Sequence, residues 1–171
     1  MKKLYHIVAS NIVLRVCTKV VLRLALVADR IASHLKFKAL VPRSGISVCH
    51  YTVELKYGEN ITVGDYTRIG PHASLGAKSP ISIGNYVVVS RGVLIETAGL
   101  DMSKEPPYKH NSKPITIEDG VWIAANVIIL GGVTIGKNAV IGAGAVISKD
   151  VAAGAIVVGQ PVRTLTRQIA R

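Results

Sequence analysis

From residue 61 onward, large aliphatic side chains return at every sixth position: Val63, Ile69 and Leu75, then Ile83, Val89 and Ile95, then Ile117, Ile123, Ile129, Ile135, Ile141 and Ile147. Two residues before most of these stands another apolar residue, as in Ile61, Ala73, Ile81, Val87, Val121, Val133 and Ala145. Residues two apart on a strand share a face, so each pair points inward. The residue after the large aliphatic is usually tiny (Gly64, Gly70, Gly84, Ser90, Ala124, Gly136, Gly142), and the expected reason is a tight turn. One short strand plus one corner every six residues predicts a parallel β-helix in which three such units close each coil. The phase slips by two at Ser79-Pro80. Between Ile95 and Ile117 it skips 22 residues, so an excursion from Thr97 to Lys113 leaves the coil. Long excursions from a rigid scaffold usually carry function.

The first forty residues follow another rule. Gly and Pro are absent before Pro42, and Leu, Ala and Val dominate, which predicts a helix over roughly 4–38. At about 100° per residue, Arg15, Lys19, Arg23 and Arg30 fall on one narrow stripe. The rest of the circumference carries Ile12, Val13, Val16, Val20, Val21, Leu24, Val27 and Ile31. The longest uncharged run, Leu4–Leu14, is too short to span a bilayer. A cleaved signal peptide is disfavoured, because charges recur inside its would-be apolar core and no small-residue cleavage site follows. Two readings stay open: an interfacial helix lying on anionic lipid through residues 1–38, or a helix whose apolar face packs on the protein or a sister subunit. Pro42-Arg43-Ser44-Gly45 marks the joint, which divides the chain into an amphipathic basic segment, 1–41, and a repeat domain, 45–171.

Composition sharpens this picture. The 171 residues are 49% hydrophobic, with Val and Ile far outnumbering Leu, as strands require. The net charge is +11, yet residues 1–50 hold nine Lys and Arg against Asp29 alone, so most of it sits on the helix. Aromatics are only 5% and no nucleic-acid motif occurs, which removes nucleic acid as a partner. Two cysteines without a CxxC spacing exclude a disulfide scaffold and suggest a cytoplasmic, reducing setting.

Three stretches carry a family resemblance: VELKYGENITVGDYTRIGPHASL at 53–75, KPITIEDGVWIAANVIILGGVTIGKNAVIGAGAVISKD at 113–150 and VVGQPVR at 157–163. Together they resemble the left-handed β-helix acyltransferases of the hexapeptide-repeat type, closest to the colanic-acid-type and galactoside/maltose O-acetyltransferases. The resemblance covers roughly residues 53–167. It implies a mainly β fold, a left-handed parallel β-helix with an N-terminal amphipathic α-helix and one long loop excursion. It also implies a homotrimer with sites between neighbouring coils. The implied activity is transfer of acetyl from acetyl-CoA to a sugar hydroxyl in cell-surface polysaccharide assembly, on the cytoplasmic side of a membrane and without a metal.

Such a transfer needs a base for the hydroxyl proton and a groove for CoA. In the related enzymes the base is a histidine at the start of the excursion, where this chain has Thr97-Ala98-Gly99-Leu100-Asp101. Leucine is no base, so His110, where the excursion returns, is the leading candidate. His72 is second, and Asp101 is an orienting carboxylate or weak base. By resemblance, Trp122, Ala125, Ala143, Ser148 and Lys149 line the CoA channel, and Lys149, Arg163 and Arg167 meet the phosphates. Arg91, Glu96 and Tyr108 are acceptor contacts by position. Leu100 also supports a rival, a catalytically inactive scaffold or CoA-binding protein. A metal enzyme resembling γ-class carbonic anhydrases is disfavoured, because the coils offer only His72 and His110 where three histidines are needed.

Overall fold

The computed structural model describes residues 12–103 and 105–165. A helix, α1 (Ile12–Leu40), leads into a parallel β-helix. Coil 1 is β1 (Arg43–Ser44), β2 (Val48–Cys49) and β3 (Glu54–Lys56); coil 2 is β4 (Ile61–Val63), β5 (Arg68–Ile69) and β6 (Ser74–Gly76). Coil 3 is β7 (Ile81–Ile83), β8 (Val88–Val89) and β9 (Leu94–Glu96). The excursion contributes β10 (Ala98–Leu100) and β11 (His110–Ser112). Coil 4 is β12 (Ile115–Ile117), β13 (Trp122–Ile123) and β14 (Ile128–Leu130); coil 5 is β15 (Thr134–Ile135), β16 (Val140–Ile141) and β17 (Val146–Ile147). Coil 6 keeps a bridge from Val151 to Ile135 and β18 (Ile156–Val158), and β19 (Arg163–Leu165) folds back antiparallel on β18.

Coils 1 to 5 each place one strand in each of three sheets. Sheet A holds β1, β4, β7, β12 and β15; sheet B holds β2, β5, β8, β13, β16, β18 and β19; sheet C holds β3, β6, β9, β14 and β17. The result is a three-sided prism of the left-handed β-helix class. Register is held by the inward pairs: Ile61, Ile81 and Ile115 stack on one another, as do Ile69, Val89 and Ile123. In Ile61-Thr62-Val63 and Ile81-Ser82-Ile83 the outer residues are buried and the middle one exposed, the alternation that a half-buried strand requires.

Three points differ from the sequence reading. The solenoid starts at Arg43, two residues before the expected boundary at 45, because β1 already pairs with β4. Within the described residues the helix ends at Leu40 rather than 38; residues 4–11 of the expected span lie outside them. Third, the small residue after each large aliphatic is not there for backbone freedom. The left-handed φ falls two residues later, at Tyr66, His72, Tyr86, Gly92, Gly120, Asn126, Asn138 and Gly144. The small residue is dictated instead by the next coil. A Cβ on Gly64 would lie 2.7 Å from the Gly84 carbonyl carbon, and one on Gly136 would lie 2.5 Å from the Ala153 nitrogen.

Polar ladders tie the coils at the corners. Between sheets A and B, the Asp65, Asn85 and Asp119 side chains accept from the backbone N–H of Ile46, Asp65 and Asn85, each one coil back. Those hydrogen bonds, with Lys137 nearby, hold the Asp119 carboxyl below the usual carboxylate range. Inside the same edge, the buried Thr67 hydroxyl donates to Gly84 O at 2.8 Å and accepts from Val87 N at 3.1 Å.

Helix α1 touches the prism only through its C-terminal part. Phe37 is buried among the core side chains, and Lys36 and Lys38 donate to backbone carbonyls of residues 51, 53, 44 and 45 in coil 1. The basic stripe runs along the same face as Ser33 and Phe37. The apolar arc opposite it, including Val13, Val20, Leu24, Val27 and Ile31, stays exposed and does not pack on its own solenoid.

Candidate active site

The two ends of the excursion are anchored in the coils. Thr97, buried at its base, donates from Oγ1 to Gly76 O and accepts from Ser79 N. Ser79 Oγ donates to Ser112 Oγ at 2.7 Å, which ties the returning arm to coil 3. Gly131 of coil 4 packs so closely beneath that a Cβ there would sit 2.5 Å from Thr97 O. Sequence reasoning passed over Thr97, Ser79 and Ser112 as positioning residues; the phase slip at Ser79-Pro80 was the available signal.

Above this root, β10 and β11 pair antiparallel with Leu100 directly opposite His110. Backbone hydrogen bonds join Asp101 N to Lys109 O and Lys113 N to Thr97 O, so the pair between them, Leu100 and His110, is the non-hydrogen-bonded kind. In such pairs the Cα atoms are about 4.5 Å apart and both side chains project to one face. His110 therefore points to the same side as Leu100, whose side chain is 47% exposed. Among the described residues, no side chain is hydrogen-bonded to the His110 ring.

Asp101 follows a different geometry. Its Oδ1 accepts from Ser103 N at 3.1 Å and Ser103 Oγ at 2.5 Å, and these bonds hold the carboxyl below its ordinary value. A carboxylate so engaged is a poor proton acceptor. Glu96, half-buried at the root, accepts from Ala98 N, and Tyr108 lies exposed in the excursion.

The other expected residues divide between two edges of the prism. On the edge between sheets B and C, Gly92 N donates to Pro71 O, Asn126 N to Arg91 O and Gly144 N to Ala125 O, which stacks Arg91, Ala125 and Ala143 in one column. His72 belongs to this edge and fills its left-handed corner with φ of 58°, a structural niche that histidine tolerates. Trp122 stands nearby on the outer face of sheet B between Val88 and Val140. Among the described residues nothing lies within 4 Å of a Cβ on Gly144, so this column is open there on its outer side. On the edge between sheets C and A lie the excursion and, two coils below it, Ser148 and Lys149. Those two face Gln160, Pro161, Val162 and Thr164 across a groove of about 820 Å³, beside Arg163 on β19. Arg167 lies outside the described residues. Within one chain, His110 and His72 thus stand on different edges, as do Lys149 and Ala143.

Residues 114–149 match the family model of the bacterial transferase hexapeptide (six repeats). A hexapeptide-repeat acetyltransferase from Vibrio cholerae has a crystal structure 31% identical over 81% of this chain and 80% of that one, with a TM-score of 0.75. Its complex with acetyl coenzyme A, from Vibrio cholerae O1 biovar eltor, is 28% identical over 92% and 90%, with a TM-score of 0.73. A maltose O-acetyltransferase from Clostridium difficile 630 is 26% identical over 85% and 89%, with a TM-score of 0.68. With its stacked coils, its rooted excursion and these shared lengths, the chain belongs to the hexapeptide-repeat family and is an acyltransferase.

Proposed function

We propose that the protein moves an acetyl group from acetyl-CoA to a sugar hydroxyl, with His110 as general base. The observation that carries this reading is the pairing of His110 with Leu100, which sets an imidazole across from the position where the resemblance expects one. His110 takes the hydroxyl proton as the sugar oxygen attacks the thioester carbonyl. The new C–O bond forms and the C–S bond breaks, and the proton held on His110 passes to the departing sulfur. Lys149, Arg163 and Arg167 supply cations for the CoA phosphates, and the small corners at Ala125 and Ala143 leave room for the pantetheine arm beside Trp122. Arg91, Glu96 and Tyr108 contact the acceptor.

The partition of these residues over two edges supports a homotrimer, since a second copy can bring one chain's column against another's excursion. The exposed apolar arc of α1, beside its basic stripe, supports peripheral contact with the inner face of the membrane and a role in cell-surface polysaccharide assembly. None of the described helices is long and apolar enough to cross a membrane.

A second reading draws on Leu100 itself and on the lack of a described side chain orienting His110: a CoA-binding scaffold without catalysis. One experiment separates the two. The protein is incubated with acetyl-CoA and with polysaccharide or lipid-linked oligosaccharide fractions, and products are followed by mass spectrometry. Gain of an acetyl group on a saccharide supports transfer. Tight CoA binding without transfer to any fraction supports the scaffold.

A further inference from the structure

Between α1 and the outer face of sheet B, alongside coils 1 to 3, opens a cleft of about 900 Å³. It exists because the helix meets the prism only near Ser33 and Phe37 and stands away from it toward its N-terminal side. The charge lining the cleft is one-sided. Arg30 comes from the helix, Arg68 from β5 and Arg91 from the corner after β8, joined by His34 and His50. Among the described residues the only carboxylate lining it is Asp29. Among the described residues, none of the three arginine side chains has an ion-pair or hydrogen-bond partner. The floor beside them is apolar, formed by Leu26, Val48 and Val88.

We propose that this cleft binds a phosphate-bearing amphiphile, its phosphate held by Arg30, Arg68 and Arg91 and its apolar part lying on Leu26, Val48 and Val88. Like charges gathered around a concave surface focus a positive potential and attract an anion. Guanidinium forks match phosphate oxygens better than any other side chain does. A free inorganic anion would leave the apolar floor uncovered, whereas a phosphorylated lipid or lipid-like carrier covers both walls. The exposed apolar arc of α1 beside the cleft suits a ligand drawn from a bilayer. The cleft shares Arg91 with the proposed acceptor contacts and so adjoins the acetyl-transfer site, but its test contains no acetyl acceptor and varies only Arg30 and Arg68.

Isothermal titration of the full chain, saturated with CoA so that the CoA phosphate contacts are occupied, compares three probes. They are dihexanoyl phosphatidic acid below its micelle concentration, dihexanoyl phosphatidylcholine and inorganic pyrophosphate. The phosphatidic acid should bind at one site per chain, about tenfold or more tighter than either other probe, which corresponds to about 1.4 kcal/mol. Arg30→Gln and Arg68→Gln should each weaken it about tenfold while CoA affinity and Tm stay unchanged. Equal affinity for the two lipids, or no loss in either variant, would overturn the phosphate seat. Pyrophosphate binding as tightly as phosphatidic acid would overturn the amphiphile.

Discussion

Exchanging the two members of one cross-strand pair tests the site most directly. His110→Leu removes the imidazole from β11 while Leu100 remains opposite, so the hairpin keeps an apolar pair and its register. His110 is exposed and no described side chain bonds its ring, so Tm should move little, within the ±0.5 kcal/mol usual for open surface sites. Loss of a general base costs ~10²–10⁴ in kcat, or about 2.7–5.5 kcal/mol of barrier. The double variant Leu100→His with His110→Leu returns an imidazole to the facing strand, on the same face and about 5 Å from its original Cβ. That shift lies within reach of a ring on a mobile sugar hydroxyl but spoils its alignment. Recovery should therefore be partial, at least about tenfold over the single variant and short of wild type, since a misplacement of ~1 Å alone can cost 10²-fold. The assay is CoA thiol release from acetyl-CoA with a saccharide acceptor, with thermal melts in parallel. Unchanged turnover in His110→Leu would refute the assignment of the base. A double variant as inactive as the single, at unchanged Tm, would refute the claim that the pair faces the chemistry.

Other consequences follow from packing. Thr67→Val should cost about 2–3 kcal/mol in thermal or urea unfolding, because the buried Val87 N–H and the Gly84 carbonyl both lose the hydroxyl. Phe37→Ala should cost about 3–5 kcal/mol, and a truncation to residue 38 should destabilise the prism as well as remove the helix, since it takes away Phe37 and the Lys36 and Lys38 clamps. Thiol titration of the folded protein at pH 8 should modify Cys17 quickly and Cys49 only on unfolding, because burial pushes the Cys49 thiol from 9.0 up to about 12. Between those values the unfolded thiol ionises while the folded one keeps its proton. The contribution of Cys49 to stability should accordingly fall as pH rises from about 9 to 12, and the effect should vanish in Cys49→Ala.

The six-residue period made the prism, the excursion and the inward pairs readable, because burial imposes the same constraint on every coil. The clear repeat begins only at coil 2, since in coil 1 Ser44 and Cys49 stand where Val63 and Ile69 stand in the next coil. The corner glycines were misread because a sequence does not show the coil above: their smallness answers to a neighbour some twenty residues away, not to their own φ. The excursion was visible as a gap, but its hairpin register, and with it the meeting of His110 and Leu100, depends on pairing between segments with no hydrophobic alternation. The direction of the basic stripe was likewise hidden. Amphipathicity marks which residues share a face, whereas only Ser33 and Phe37 in place reveal which face turns inward.

The division of the corner residues between two prism edges has a genetic consequence. Where a reaction centre draws its excursion from one copy and its small-residue column from another, damage at the two edges is separable. A chain lacking His110 still offers an intact column, and a chain blocked at Ala143 by a bulky residue still offers an intact hairpin. Refolded together in equal amounts, two such individually silent chains should assemble about a quarter of their centres from one good half of each. Alleles of this gene with lesions at opposite edges would then rescue one another, whereas alleles sharing an edge would not.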